Sequence, residues 1–137
     1  MRLKLTLLLL STMALSSVFA QSNFYKGVEF YNKRAENAVN NIAPQVNINS
    51  ALSYFKKAFK TSDEDKAVVY YLQSTYFKSA YCYPEGAKER KIILVEGKKI
   101  GEQMASKYTN SAPIQYWYAV ILGSWAKESG VVSAAKE

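Results

Sequence analysis

The sequence predicts an all-α fold of antiparallel helical hairpins, with about five helices after an N-terminal signal peptide. Apolar residues recur at spacings of three and four along most of the chain. Glycine (6) and proline (3) are too scarce for a turn-rich β-sandwich, and no segment alternates apolar and polar residues between hairpin turns. Because the connections are short, consecutive helices are expected to be antiparallel neighbours.

Composition limits the chain to one small domain with little capacity for catalysis. It has 137 residues, of which 49% are apolar and 21% charged, as in folded globular proteins. It contains no histidine and a single cysteine, Cys82. These counts exclude a His/Cys zinc site, a Ser-His-Asp triad and a Cys-His pair. Cys82 cannot form an internal disulfide, and we expect it to be a buried apolar residue.

Residues 1–20 have the features of a secretory signal peptide. Arg2 and Lys4 precede an apolar run over residues 5–15, and the small residue Ala20 ends the segment. The apolar run is too short to span roughly 30 Å of hydrocarbon comfortably. We therefore expect cleavage after Ala20 and a periplasmic domain over residues 21–137, with no membrane span. The formal charge falls from +7 to +5 on cleavage, and export makes nucleic acid an unexpected partner.

Apolar stripes place the first three helices. The first stripe extends over about five turns: Phe24, Val28, Tyr31, Ala35, Ala38 and Ile42. The second is expected to start with Asn47 as N-cap: Ile48, Leu52, Phe55 and Phe59. The third begins at a capping-box-like Ser62 and is apolar on two faces, so it should lie between neighbours: Ala67, Tyr70, Ser74, Phe77 and Tyr81, then Val69, Leu72, Tyr76 and Ala80.

Two further helices complete the pattern. Pro84 is expected to open the fourth, with the stripe Ile93, Gly97, Ile100, Met104 and Tyr108. Residues 111–113 open the fifth, which ends at Gly130 as C-cap; its stripe is Ile114, Trp117, Ile121 and Trp125. Ala119, Gly123 and Ala126 form a small-residue stripe on it that would suit a close helix approach. We also expect one flank of this helix to remain an exposed apolar surface.

Part of the chain resembles a known family of helical repeats. Ala51, Phe55 and Ala58 have the spacing of the second helix of a tetratricopeptide repeat (TPR). The segment at residues 116–125, Tyr-Trp-Tyr-Ala-Val-Ile-Leu-Gly-Ser-Trp, resembles TPR-like proteins related to the T component of TRAP transporters. The resemblance covers residues 48–135. It implies that 21–137 is a short TPR-like α-solenoid without catalytic residues, and that the chain is either a short member or is truncated at its C-terminus.

The first functional hypothesis is an exported, non-enzymatic scaffold that binds a protein or peptide in a helical groove. Its candidate lining residues can be buried on one side and hydrogen-bond on the other: Tyr70, Tyr71, Ser74, Phe77, Tyr118 and Trp125. The alternative role for each of these residues is core packing.

The second hypothesis follows from the resemblance and is a small-ligand-binding accessory component of a TRAP-type uptake system, associated with a solute-binding protein. Lys78, Lys98 or Lys127 could then pair with an anionic small organic ligand.

An enzyme is the third class and is not favoured. The acids Asp63-Glu64-Asp65 and Glu85/Glu89 lie at predicted helix starts. Negative charges at that end of a helix interact favourably with the helix dipole. The sequence has no metal-ligand spacing, glycine-rich loop or nucleophile–base pair, so no metal or other cofactor is expected.

Overall fold

The fold is all-α, as the sequence predicts. The computed structural model describes residues 21–130, and these form five helices in chain order: α1 (Asn23–Asn32), α2 (Gln45–Ala58), α3 (Glu64–Tyr81), α4 (Lys88–Lys107) and α5 (Ala112–Ser129). The predicted signal peptide, residues 1–20, lies outside the described residues, as do residues 131–137. Within 21–130, no helix combines the length and the apolar character needed to cross a bilayer.

Each helix packs against the next one along the chain, which confirms sequential antiparallel pairs consistent with stacked hairpins. Helix α3 occupies the centre, because it also packs against α5 and, less extensively, against α1. Its position between neighbours agrees with the prediction, but the predicted stripes were partly wrong: Val68, Tyr71 and Thr75 are buried outside them, and Tyr81 is 46% exposed. The fully buried large side chains come from four of the five helices: Phe55, Ile48, Leu72, Leu94, Ile114, Ile121 and Val68.

Helix α1 is shorter than its apolar stripe predicts, since it ends at Asn32 and residues 33–42 form turns. Asn37, Asn40 and Asn41 have φ values of 60°, 51° and 64°, a left-handed conformation that asparagine tolerates better than most residues. Arg34 fixes the start of this segment, because its guanidinium donates to the Tyr31 carbonyl at 2.9 Å. The prediction of about five turns was therefore wrong. The backbone changes to i→i+3 hydrogen bonds directly after Asn32, and the left-handed asparagines further along do not continue a helix.

Three predicted helix starts were also wrong. Helix α3 begins at Glu64, and the residue at its N-cap is Asp63 and not Ser62. Helix α2 begins at Gln45, directly after Pro44, and Asn47 is not its N-cap. The Asn47 amide instead donates to the Lys33 carbonyl at 2.8 Å and so joins α2 to the chain that follows α1. Helix α4 begins at Lys88, four residues after Pro84, because Gly86 with φ of 80° first reverses the chain.

Close helix approach depends on three buried glycines, of which Gly97 lies against Thr75 and the other two lie against aromatic rings. A Cβ on Gly27 would lie 2.5 Å from Cε1 of Phe55, and one on Gly101 would lie 2.6 Å from Cδ2 of Tyr118. The Phe55 ring of α2 therefore occupies the space that a side chain on Gly27 of α1 would need. The Tyr118 ring of α5 does the same at Gly101 of α4. Gly123, which the sequence assigns to the same role, is exposed, and nothing lies within 4 Å of its would-be Cβ. Ala119 is likewise exposed.

This contrast predicts opposite effects of two Gly→Ala substitutions. Gly123→Ala should raise the free energy of unfolding by about 0.5–1 kcal/mol, because alanine is the better helix former and meets no neighbour. Gly101→Ala should lower it by about 1–3 kcal/mol through overpacking against Tyr118. Urea denaturation of both variants measures the two values. A loss of stability in Gly123→Ala would show that this face of α5 is covered.

The large side chains of α5 mostly turn inward. Ile114 and Ile121 are fully buried and Trp125 is 5% exposed, while Trp117 is only partly buried and packs against Tyr76 with ring centroids 6.2 Å apart. Tyr116, at 63% exposure, is the large side chain that α5 presents to solvent among the described residues. The predicted exposed flank is therefore present, but it consists of one tyrosine beside small residues.

Candidate functional site

The six aromatic and serine residues proposed from the sequence lie in different parts of the molecule. Ser74 is completely buried and Tyr71 is 4% exposed. Tyr70 belongs to an aromatic cluster, with its ring 5.5 Å from Phe24 and 5.4 Å from Phe55. These positions are those of core residues, and only the hydroxyl of Tyr71 extends to a surface groove, where it donates to Glu96.

The other three are also separated. Phe77 stacks near Tyr81, with ring centroids 5.1 Å apart, and Tyr118 lies over Gly101. Trp125 forms part of the wall of a groove between α4 and α5. The structure thus does not bring the six residues together. Tyr71 and Trp125 instead border two separate grooves, which we name the α2–α4 groove and the α4–α5 groove.

The α2–α4 groove lies over α3, where α2 and α4 flank it without packing against each other in the described part of the chain. It holds two cavities that share Lys56. One, of about 280 Å³, is lined by Asn49, Leu52, Ser53, Lys56, Tyr71, Lys78 and Glu96. The other, of about 270 Å³, is lined by Lys56, Phe59, Lys60, Glu64, Ile100, Gln103, Met104 and Lys107.

A charged group crosses the α2–α4 groove at Glu96. Lys56 Nζ lies 2.9 Å from Glu96 Oε1, and the Tyr71 hydroxyl donates to the same oxygen at 3.1 Å. The Lys56 ammonium lowers the pKa of Glu96, and burial together with the Glu96 charge raises the pKa of Tyr71. Lys78, one of the three lysines proposed to bind an anion, lines the same cavity. The structure therefore brings Tyr71 and Lys78 together around a carboxylate.

Glu64 closes the other end of this groove. Its carboxylate is nearly buried, with 6% of the side chain exposed, and it accepts hydrogen bonds from Lys107 Nζ, the Lys60 backbone N–H and, at 2.7 Å, the Tyr108 hydroxyl. The hydrogen bonds from Lys107 and Tyr108 are the main reasons why the pKa of Glu64 falls to about 2. Glu64 therefore joins the start of α3 to the end of α4, in addition to its expected position in the first helical turn.

Removing this charge should destabilise the protein in a pH-dependent way. We expect Glu64→Gln to lower the free energy of unfolding at neutral pH by about 2 kcal/mol, because Tyr108 and Lys60 lose a charged acceptor. The folded-state pKa lies below the unfolded one, so the stabilisation is complete above about pH 4.5 and is lost as the pH falls toward about 2.

Urea unfolding of wild type and Glu64→Gln at neutral pH and at about pH 3 measures this difference. The gap between the two proteins should narrow at the lower pH. Asp63→Asn is the matched control, since the neighbouring Asp63 makes only a 3.9 Å contact with Lys66. Equal losses in the two variants would contradict the assigned role of Glu64.

The α4–α5 groove is the more apolar of the two. Ile92 and Val95, one turn apart on α4, are 63% and 49% exposed beside a cavity of about 450 Å³. That cavity is lined by Gly86, Ala87, Lys88, Lys91, Ile92, Val95 and Glu128. Val95 also borders an adjoining cavity of about 170 Å³, lined with Lys98, Lys99, Glu102 and Trp125.

Two polar contacts define the walls of the α4–α5 groove. Lys98 Nζ lies 3.8 Å from the centroid of the Trp125 ring, a cation–π contact. Arg90 Nε and Glu128 Oε1 form an ion pair at 3.2 Å, and their side chains are only 12% and 15% exposed. The charge of Glu128 is therefore balanced by Arg90, while lysines define the rim.

Ile92 and Val95 were missed by the sequence analysis, although a signal for them exists. Residues 92–95 are four consecutive apolar residues, Ile-Ile-Leu-Val. Successive helical residues point about 100° apart, so one face of a helix cannot bury four in a row. In the structure Leu94 is buried, while Ile92 and Val95 face outward.

The remaining candidates lie as follows. Lys127 borders a small cavity of about 100 Å³ with Tyr76, Ser79, Ala80, Arg90, Leu94, Ser124 and Glu128. Cys82 is buried, as expected for a small apolar residue, and burial raises the pKa of its thiol. Across residues 21–130, no three His, Cys, Asp or Glu side chains are grouped so that they could hold a metal ion.

Comparison of the chain with protein-family models, with curated proteins and with solved structures gave no match. The geometry of the two grooves is therefore the basis for a functional proposal.

Proposed function

We propose that this chain is an exported, non-enzymatic, TPR-like scaffold that binds a protein or peptide partner in the α4–α5 groove. The observation that supports this most is the exposure of Ile92 and Val95, at 63% and 49%, beside the 450 Å³ cavity. Burial of apolar surface is worth about 25 cal/mol per Å². A partner that covers both side chains removes their apolar surface from water, and this burial contributes favourably to the free energy of binding.

The composition of the groove favours binding over chemistry. Its walls consist of aliphatic side chains, an indole ring, lysine ammonium groups and the carboxylates of Glu102 and Glu128. Tryptophan is a frequent contributor to protein interfaces, because it combines a large apolar area with a polar N–H group. Trp125, which the sequence analysis proposed for a groove, lies at this position with Lys98 over its ring.

Site-specific photo-crosslinking in the source cells tests the proposal. Benzoylphenylalanine in place of Val95 should give a discrete protein adduct of higher mass. The matched control is the same substitution at Val46, which is 68% exposed on α2, a helix that packs against neither α4 nor α5. An adduct at Val95 that is absent at Val46 supports a protein partner in the groove. Equal adducts at both positions, or none at Val95, would contradict it.

A small-ligand-binding accessory component of a TRAP-type uptake system is the second candidate function. It is favoured by Lys78 and Tyr71, which line the same cavity of the α2–α4 groove as Leu52. An ammonium group next to an apolar wall suits a small organic anion, which an associated solute-binding protein could exchange. Native mass spectrometry of protein purified from the source cells should then show a bound small molecule that Lys78→Ala no longer retains. A mass equal to that of the chain alone would argue against this candidate.

A further inference from the structure

We infer that the α4–α5 groove binds an acidic amphipathic helix of a partner protein, an inference that rests on the proposed function and specifies the partner. The groove follows α4 from Lys88 to Glu102, a length of roughly 21 Å at the rise of an α-helix. About four turns of a partner helix would fit along it. The groove is therefore long enough for a helix and not only for a single side chain.

The apolar contacts have helical spacing. Ile92 and Val95 are one turn apart on α4, and Trp125 borders the adjoining cavity beyond Val95. A helix with apolar residues at i and i+3 or i+4 can contact the two exposed side chains, Ile92 and Val95, in succession. Binding of an extended peptide by strand addition would instead need an open sheet edge. Residues 21–130 contain only one isolated β-bridge, between Val39 and Ile42, away from this groove.

The charge of the rim indicates an acidic polar face. The rim lysines that we assign to this contact are Lys88, Lys91 and Lys99, which line the two cavities. Of the two carboxylates that line them, Glu128 is paired with Arg90 and Glu102 lies at one end. Glutamates or aspartates flanking the apolar stripe of a partner helix would meet these ammonium groups, whereas a basic helix would be repelled.

A helix also fits the recess better than an anionic lipid surface, which offers the same combination of negative charge and apolar material. Trp125 is only 5% exposed, and Lys98 covers its ring. A flat bilayer surface would reach Ile92 but not the Trp125 wall. A ridge of helical side chains can contact Ile92 and also enter the adjoining cavity that Val95 and Lys99 line.

The inference can be tested by selection from a phage-displayed library of amphipathic helices of about sixteen residues. The library has apolar residues on one face and Glu, Gln or Lys randomised on the flanking positions. Selection is done on the purified protein, with depletion on the Val95→Glu variant. We expect glutamate to be enriched over lysine at the flanking positions. No enrichment, or enrichment of lysine, overturns the inference.

The best selected peptide is then measured by fluorescence anisotropy. Val95→Glu and the double charge reversal Lys91→Glu/Lys99→Glu should each weaken binding by about tenfold or more, and the control Val46→Glu should leave it unchanged. If a peptide with lysine in place of glutamate binds the Lys91→Glu/Lys99→Glu variant with restored affinity, the charge pairing is confirmed. Equal affinity for all variants overturns the inference.

Two further outcomes separate the alternatives. Vesicles of anionic phosphatidylglycerol serve as a second probe. If Val95→Glu abolishes binding of the protein to the vesicles but not to the peptide, the groove binds a lipid surface and the inference is overturned. A protein adduct at Val95 in cells, combined with failure of the acidic peptides, would overturn the acidic-helix inference and leave the proposed scaffold function standing.

Discussion

Phe55→Ala should lower the free energy of unfolding by about 3–5 kcal/mol, the largest effect that we expect from a single truncation in the described residues. Phe55 has no exposed surface, and its ring rests on the backbone of Gly27. The Phe24 and Tyr70 rings lie 6.1 and 5.4 Å away. Truncation leaves a cavity where α1, α2 and α3 meet, and rigid neighbouring rings fill such a cavity poorly.

Tyr54→Ala is the matched control for Phe55→Ala. Tyr54 is the preceding residue on α2, but it is only partly buried and stacks on Phe30 with centroids 5.6 Å apart. Its truncation should cost clearly less than that of Phe55 in the same urea titration. Similar urea-unfolding midpoints for the two variants would contradict the placement of Phe55 where α1, α2 and α3 meet.

Ile121→Ala is expected to have the second-largest effect, a loss of about 2–5 kcal/mol. Ile121 is fully buried on α5. Its Cγ2 would lie 3.4 Å from a Cβ built on Gly97, and Cγ2 of Thr75 on α3 would lie 2.6 Å from the same Cβ. This side chain therefore packs where α3, α4 and α5 meet, which is the base that positions the α4–α5 groove.

The control for Ile121 lies on the opposite face of the same helix. Tyr116 is 63% exposed, so Tyr116→Ala should change the free energy of unfolding by only about 0.5 kcal/mol. Ile121→Val keeps most of the volume and should cost about 1 kcal/mol. Thermal unfolding of the three variants should show the largest loss of stability for Ile121→Ala, a smaller loss for Ile121→Val and the smallest change for Tyr116→Ala. A stable Ile121→Ala protein, or a strongly destabilised Tyr116→Ala protein, would reverse the assignment of the two faces of α5.

The fold class could be predicted because apolar periodicity is strong in this sequence. Helix α5 is the clearest case, since Ser111, Pro113 and Gly130 mark its ends and Ile114 and Ile121 its buried face. The boundaries at α1 and α4 were not predictable in the same way. Ala35 and Ala38 continue the apolar pattern, but the helix ends at Asn32, before both of them, and three left-handed asparagines follow in the turns. Pro84 can open a helix or precede a turn. The chain turns here because Gly86 has a positive φ, which is not a helical conformation.

The grooves could be predicted only in part. Trp125 and Lys98 were proposed separately, and the structure places them in one cation–π contact. Periodicity gives the direction of a side chain relative to its own helix, but not which helix lies opposite. For that reason Tyr71 and Lys78 could not be assigned to a groove between α2 and α4. Ser74 could not be recognised as fully buried either, because the small size of its side chain fits both a core and a surface position.

The central claim is that a protein partner occupies the α4–α5 groove, and hydrogen–deuterium exchange of the protein with and without its crosslinked partner tests it most directly. We expect slower exchange on binding in peptides from residues 86–102 of α4 and from 122–130 of α5, with unchanged exchange in residues 45–58 of α2. Protection restricted to 45–58 and the adjoining start of α3 would place the partner in the α2–α4 groove and contradict the account.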